Sequence, residues 1–246
     1  MSGIRLDTLF TNTALPVGES LAAGLLASGN LQHWFQADAA HVDLTGDTID
    51  SWTDRAGSGR VLTPLGGGAT LADAALGSFP AALFDDANGD YYGMSGANLP
   101  WTGAWTIAVV ARLDDLTSAL RMLVGAGSGQ TFFLGRIGTE TLRLRCGGTN
   151  NTEVTFTGFG DWFSVLASYD GTSVTRIAVN GGAAVAGTGS DPAVSSATVL
   201  GATPGSGLWS GHISDLMIWD IDLLASAAAA ERAKVDAFFA SAYGIG

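Results

Sequence analysis

The chain has 246 residues, 47% of them hydrophobic and 14% charged, with 35 glycines, which is enough apolar mass for a packed core and excludes a disordered chain. Its 11 Lys and Arg against 23 Asp and Glu leave a net charge of -12, which repels phosphate backbones and anionic lipid and sets nucleic acid aside as a partner. The sole lysine, Lys234, lies outside any GxxxxGK[ST] run, and the sole cysteine, Cys146, excludes an intrachain disulfide and a cysteine-rich zinc site.

Residues 1–30 carry no sustained strand alternation and read as an N-terminal arm, either laid on the domain or anchoring it to a larger assembly. The apolar run 21–27 is about a third of the roughly 20 residues a membrane helix needs. Arg5 followed by Asp7 does not make the basic start of a secretory leader. Neither membrane insertion nor a cleaved leader is expected. From residue 31 onward, short apolar segments are cut by Gly, Asn, Asp and Ser, which predicts antiparallel strands throughout the span 31–246.

In 105–113 one face carries Trp105, Ile107, Val109, Ala111 and Leu113, with Thr106 and Arg112 opposite. Segments 131–137, 141–146 and 153–156 follow. In 141–146, Leu142, Leu144 and Cys146 face away from Thr141, Arg143 and Arg145, so Cys146 reads as a buried small hydrophobe. In 161–169, Phe163, Val165, Ala167 and Tyr169 oppose Trp162, Ser164, Leu166 and Ser168. Asp170-Gly171 and Asn180-Gly181 are turn signals beside a strand at 174–180. After a last strand at 212–219, Val235, Phe238, Phe239 and Ala242 recur at helical spacing behind Ser226 as N-cap, with Gly244 as stop. This predicts a helix over 226–243 packed back on the strands.

The runs LQHWFQAD (31–38) and IDSWTDRAGSG (49–59) resemble the opening of laminin-G-like, concanavalin A-like lectin/glucanase domains found in phage virion and bacterial surface proteins. FPAALFD (79–85), YDG (169–171), VNG (179–181), GHISDLMIW (211–219) and ERAKVDAFFASAYGI (231–245) are similar to later marks of that family. The resemblance implies an all-β fold: a two-sheet antiparallel jelly-roll sandwich with a C-terminal helix and an N-terminal arm. Trp34, Trp52 and Trp219 are each large enough to set the sheet spacing. Asp54 suits a side-chain-stabilised turn before Gly57.

Enzymes of this fold place two carboxylates about 5–5.5 Å apart, usually along an E-x-D-x-x-E-like strand. Glu19, Glu140, Glu153 and Glu231 form no such run, and adjacent pairs such as Asp85-Asp86 and Asp114-Asp115 point apart in extended chain. His33, His41 and His212 show no metal-binding spacing. No catalysis and no required cofactor are expected. Asp85, Asp86, Asn88 and Asp90 form the densest oxygen cluster, readable as a Ca²⁺ loop or as a tight Asn88-Gly89 hairpin. A sugar asks for an aromatic face beside planar polar groups. Tyr91, Tyr92, Trp101, Asn150, Asn151 and Trp209 are the loop candidates for that role, and Arg121, Arg136, Arg143 and Arg145 are candidates to gather on one sheet face. The expected function is a non-catalytic virion-associated module binding host-surface glycan, or a purely structural capsid or tail decoration protein binding none, with a glycanase as the remote alternative. Its partners would be other virion proteins through residues 1–30 and, in an oligomer, further copies of itself.

Overall fold

Alternation of period two builds most of the ladders, and the turns between them use the residues that tolerate left-handed backbone. The computed structural model describes residues 17–77, 79–94, 103–126, 131–192, 198–202 and 207–246. Helix α1 (Val17–Leu26) precedes β1 (Leu31–Gln36), β2 (Val42–Thr45), β3 (Thr48–Thr53), β4 (Val61–Pro64), β5 (Thr70–Leu76), β6 (Phe79–Phe84) and β7 (Tyr92–Met94). Next come β8 (Ala104–Leu113), β9 (Leu120–Ala126), β10 (Phe132–Ile137), β11 (Thr141–Cys146), β12 (Asn151–Thr155), β13 (Phe163–Asp170) and β14 (Val174–Val179). The strands β15 (Val185–Thr188), β16 (Val199–Leu200) and β17 (Gly211–Trp219) complete the ladders, and helix α2 (Ala229–Tyr243) follows.

One run of pairing is β15-β14-β13-β8-β17, with the far edge of β17 shared by β1 and β6 and with β5 beyond β6. A second run is β2-β3-β4-β7-β16-β9-β10-β11-β12. Thr70 pairs with Leu83 on β6 and also with Thr48 on β3, so the described strands form one continuous antiparallel network. The result is an all-β sandwich close to a barrel, where two separate sheets were expected.

Between the runs lies the inner core, which includes Trp52, Trp105, Ile107, Val109, Phe132, Leu144, Phe163, Val165, Trp209 and Leu216. A second cluster lies on the outer side of β1, β8, β13 and β17. There Trp34, Ala108, Val110, Leu166, Met217 and Trp219 meet Ala22 and Leu25 of α1 and Val235, Phe238, Phe239 and Tyr243 of α2. Two of the three tryptophans expected to space the sheets therefore face the helices. Trp52 alone sits in the inner core, because residues 34 and 219 have the outward parity of their strands.

Within the expected arm, residues from Val17 form a helix whose Ala22 and Leu25 are buried against α2 and the outer cluster. Residues 1–16 lie outside the described part. Ser226 is not the N-cap; it opens a 3-10 turn (Ser226–Ala228), and α2 starts behind Ala228 without a side-chain cap. Gly244, at φ 68°, ends α2 in the left-handed conformation expected of it. The Asn180-Gly181 turn, with both residues at positive φ, joins β14 to β15. Among the described residues, no helix is long and apolar enough to cross a membrane.

Candidate functional site

Of the loop aromatics expected to meet a ligand, two are core residues. Tyr92 is fully buried in β7; its hydroxyl accepts from the Ala69 N–H (2.8 Å) and donates to the Ile49 carbonyl (2.7 Å), and burial raises its pKa. Trp209 is also fully buried, its ring 6.5 Å from that of Phe163. Both sit next to turns, yet both side chains are turned into the core, so being near a loop did not make them free. Trp101 lies outside the described residues. Tyr91 is half-buried, and its ring closes on Gly66, where even a Cβ would meet it at 2.7 Å. Asn150 and Asn151 are half-buried at the β11–β12 turn, where Asn151 Oδ1 accepts from Arg145 Nε (3.1 Å). The structure does not bring these six together.

Residues 85–90 form a turn whose polar side chains bond chiefly within it and to Arg121. Asp85 Oδ1 accepts from the Ala87 N–H (2.9 Å), Asp90 Oδ2 from the Asp85 N–H (2.8 Å), and Asp86 Oδ2 from Arg121 Nη1 (2.8 Å). Asn88 Nδ2 donates to Asp85 Oδ2 (3.3 Å). The turn is not a hairpin as expected, since β6 pairs with β5 and β17 while β7 pairs with β4 and β16. Asp90 is buried, and desolvation raises its pKa. No group of three or more His, Cys, Asp or Glu among the described residues is arranged to hold a metal ion.

The four arginines do not gather on one face. Arg121 and Arg136 pair across β9 and β10 and are buried. Arg121 reaches Asp86, Asp115 and the Leu208 carbonyl, while Arg136 reaches the carbonyls of Ser118 and Leu116. Arg143 and Arg145 project to the other side of β11, toward Glu153 and Asn151. Cys146 is buried as expected; burial pushes its thiol up to about 12. Among the glutamates, Glu153 pairs with Arg143 and Glu231 with Lys234.

A different constellation emerges on the outer side of β13, β8 and β17. The register Phe163–Ala111 sets Trp162 opposite Arg112, and Arg112 pairs with His212, which pairs in turn with Leu83 of β6. Three strands and the residue just before β13 thus carry one transverse row. Arg112 Nε donates to Asp114 Oδ1 (2.8 Å), and His212 Nδ1 lies 2.9 Å from Asp114 Oδ2 and 3.1 Å from Arg112 Nη2. The guanidinium carbon is 5.5 Å from the centre of the Trp162 ring, and the imidazole centre is 5.8 Å from it. Trp162 and Arg112 are half-buried, Asp114 is exposed and His212 is buried. Burial is the main influence on His212 and lowers its pKa against the opposing pull of Asp114. A partly exposed indole beside fixed donors and acceptors offers the apolar and polar surfaces that a sugar ring presents in return. The signal in the sequence was faint: Trp162 stands on the mixed face of its strand and Arg112 on the polar face of its own, but their adjacency depends on the register.

The model of the concanavalin A-like lectin/glucanases superfamily matches residues 86–229. No curated protein matches the chain in sequence. Among solved structures, domain 4 of AbnA, a GH43 extracellular arabinanase from Geobacillus stearothermophilus, in complex with arabinotriose, is 16% identical at a TM-score of 0.53; the match covers 77% of this chain and 92% of that one. The binding domain of botulinum neurotoxin DC in complex with SialylT is 13% identical at 0.57, covering 87% of this chain and 52% of that one. A Trypanosoma rangeli sialidase is 12% identical at 0.57, covering 88% and 33%. The chain thus spans about half of the neurotoxin chain and a third of the sialidase chain. These identities establish a shared fold.

Proposed function

The chain belongs to the concanavalin A-like lectin/glucanase superfamily, and we propose that it is a non-catalytic module that binds carbohydrate through the row of Trp162, Arg112, Asp114 and His212. The observation that carries the reading is the half-buried indole of Trp162 set beside a guanidinium, a carboxylate and an imidazole that hold one another in place. The arabinanase domain in complex with arabinotriose and the neurotoxin domain in complex with SialylT support the ligand class. Binding without turnover is supported by the separate ion pairs of Glu153 and Glu231, which stand on a strand and a helix, whereas a glycanase converges two carboxylates on one bond.

A glycan array followed by calorimetry tests this. The chain binds at least one oligosaccharide, and Trp162→Ala weakens it by about tenfold or more, roughly 1.4 kcal/mol, while the melting temperature changes little. Undiminished binding by Trp162→Ala removes the site, and release of shorter sugars removes the non-catalytic assignment. The setting we propose is a virion surface facing host glycan, following the resemblance of the motifs at 31–59 and 211–245, with residues 1–16 as the tether. Failure of the chain to co-sediment with particles from a lysate would overturn that setting. Particle binding with silence on the array would favour a purely structural coat.

A further inference from the structure

Resting on that carbohydrate reading, we infer that the row takes uncharged sugar chains and discriminates against carboxylated or sulfated ones. The cation of the row, Arg112, is already matched: its Nε donates to Asp114 Oδ1 at 2.8 Å, and Asp114 Oδ2 faces His212 Nδ1 at 2.9 Å. Asp114 is exposed, and each of its oxygens keeps a lone pair beyond these contacts, so the row offers acceptors as well as donors to vicinal hydroxyls. An anionic sugar would meet the Asp114 carboxylate before it could gain from the guanidinium.

Most cations elsewhere among the described residues are matched too: Arg121, Arg143, Arg176, Arg232 and Lys234 each lie on a carboxylate and Arg136 on backbone carbonyl oxygens, while Arg55 and Arg145 bond the amide oxygens of Gln36 and Asn151. Around them the chain carries a net charge of -12, which repels an approaching anion before contact. An uncharged polyhydroxylated ring avoids both penalties and uses the same donors, acceptors and indole.

The test pairs uncharged oligosaccharides, such as arabino-, xylo- and galacto-oligosaccharides, with the sulfated form of each. Each pair is titrated calorimetrically into the full chain at about 50 and 500 mM NaCl. The expected result is binding of an uncharged member about tenfold or more tighter than its sulfated form, with its affinity changing less than about twofold between the two salt concentrations. Asp114→Asn, which leaves Arg112 unmatched, narrows that gap, and circular dichroism checks that it remains folded. Tighter binding of the sulfated member by the wild-type chain overturns the inference, as does an unaltered gap in folded Asp114→Asn. Binding of neither member by a folded chain overturns the carbohydrate reading itself, and the two failures are thereby told apart.

Discussion

Asp215 keeps a carboxyl group completely out of water on the outer side of β17. Trp34 Nε1 donates to its Oδ1 (2.7 Å), the Tyr243 hydroxyl donates to its Oδ2, and Gln36 Nε2 reaches the same hydroxyl (3.1 Å). Burial outweighs these donors and raises the pKa of Asp215 to about 6. The folded chain therefore holds this proton more tightly than the unfolded chain. The stability so gained is full below the ordinary carboxyl value near 4 and is lost as pH rises through 6. Asp215→Asn does not titrate here, so the stability of the variant relative to wild type improves by on the order of 3 kcal/mol between about pH 4 and 8. Urea denaturation across that range measures it, and a constant difference would refute it. Asp54 runs the other way: burial tends to raise its pKa, but His33, Ser58 and the N–H groups of Trp34 and Ala56 together lower it. Its contribution fades on acidification. His212, lowered mainly by burial, likewise favours the fold above the ordinary histidine value and less so below it. Asp54 was legible as a turn residue because Gly57 follows it at the right distance. Asp215 was not, because a bulge between Ile213 and Asp215 changes the strand's parity just there. Tyr92 and Trp209 misled for a related reason, since residue type says nothing about which way a side chain turns at the end of a strand.

At the scale of elements, the strands with clean alternation were the readable ones: β11 has the expected bounds, and β8, β13 and β14 lie within two residues of theirs. What escaped was the layer outside them. The run of β8 is apolar at Ala108 and Val110 as well as on its core face, the mark of a strand covered on both sides. Its cover is α1 and α2. Helix α2 announced itself by its apolar spacing, but α1 carries Leu21 and Leu26 beside the buried Ala22 and Leu25, so its apolar residues do not keep to the buried face and leave little periodicity to read. Phe238 is the anchor of this layer, its ring edge-on to Trp34 at 5.2 Å and to Tyr243 at 5.7 Å. Phe238→Ala is expected to lower stability by about 3–5 kcal/mol, whereas Ala237→Ser on the exposed face changes it by less than about 0.5 kcal/mol. Thermal and urea unfolding of both variants checks the contrast, and equal effects would deny the helix its role as cover.

For the whole molecule, Cys146 serves as a built-in reporter. Its thiol is buried, donates to the Ser190 carbonyl at 3.2 Å and has a pKa pushed up to about 12, so it is a poor nucleophile in the folded chain. Labelling with a disulfide reagent is expected to be slow in buffer and rapid in denaturant, its rate following global opening; fast labelling under native conditions would mean that the β11–β12 corner opens locally. The connectivity adds a demand on timing. Strand β17 is the common neighbour of β1, β6 and β8, although about 180 residues separate it from β1. A growing polypeptide must therefore wait for residues 211–219 to leave the ribosome before its earliest strand gains a lasting partner. Such long-range closure places refolding toward the slow end, milliseconds to seconds, and makes prematurely stopped synthesis products natural clients for chaperones.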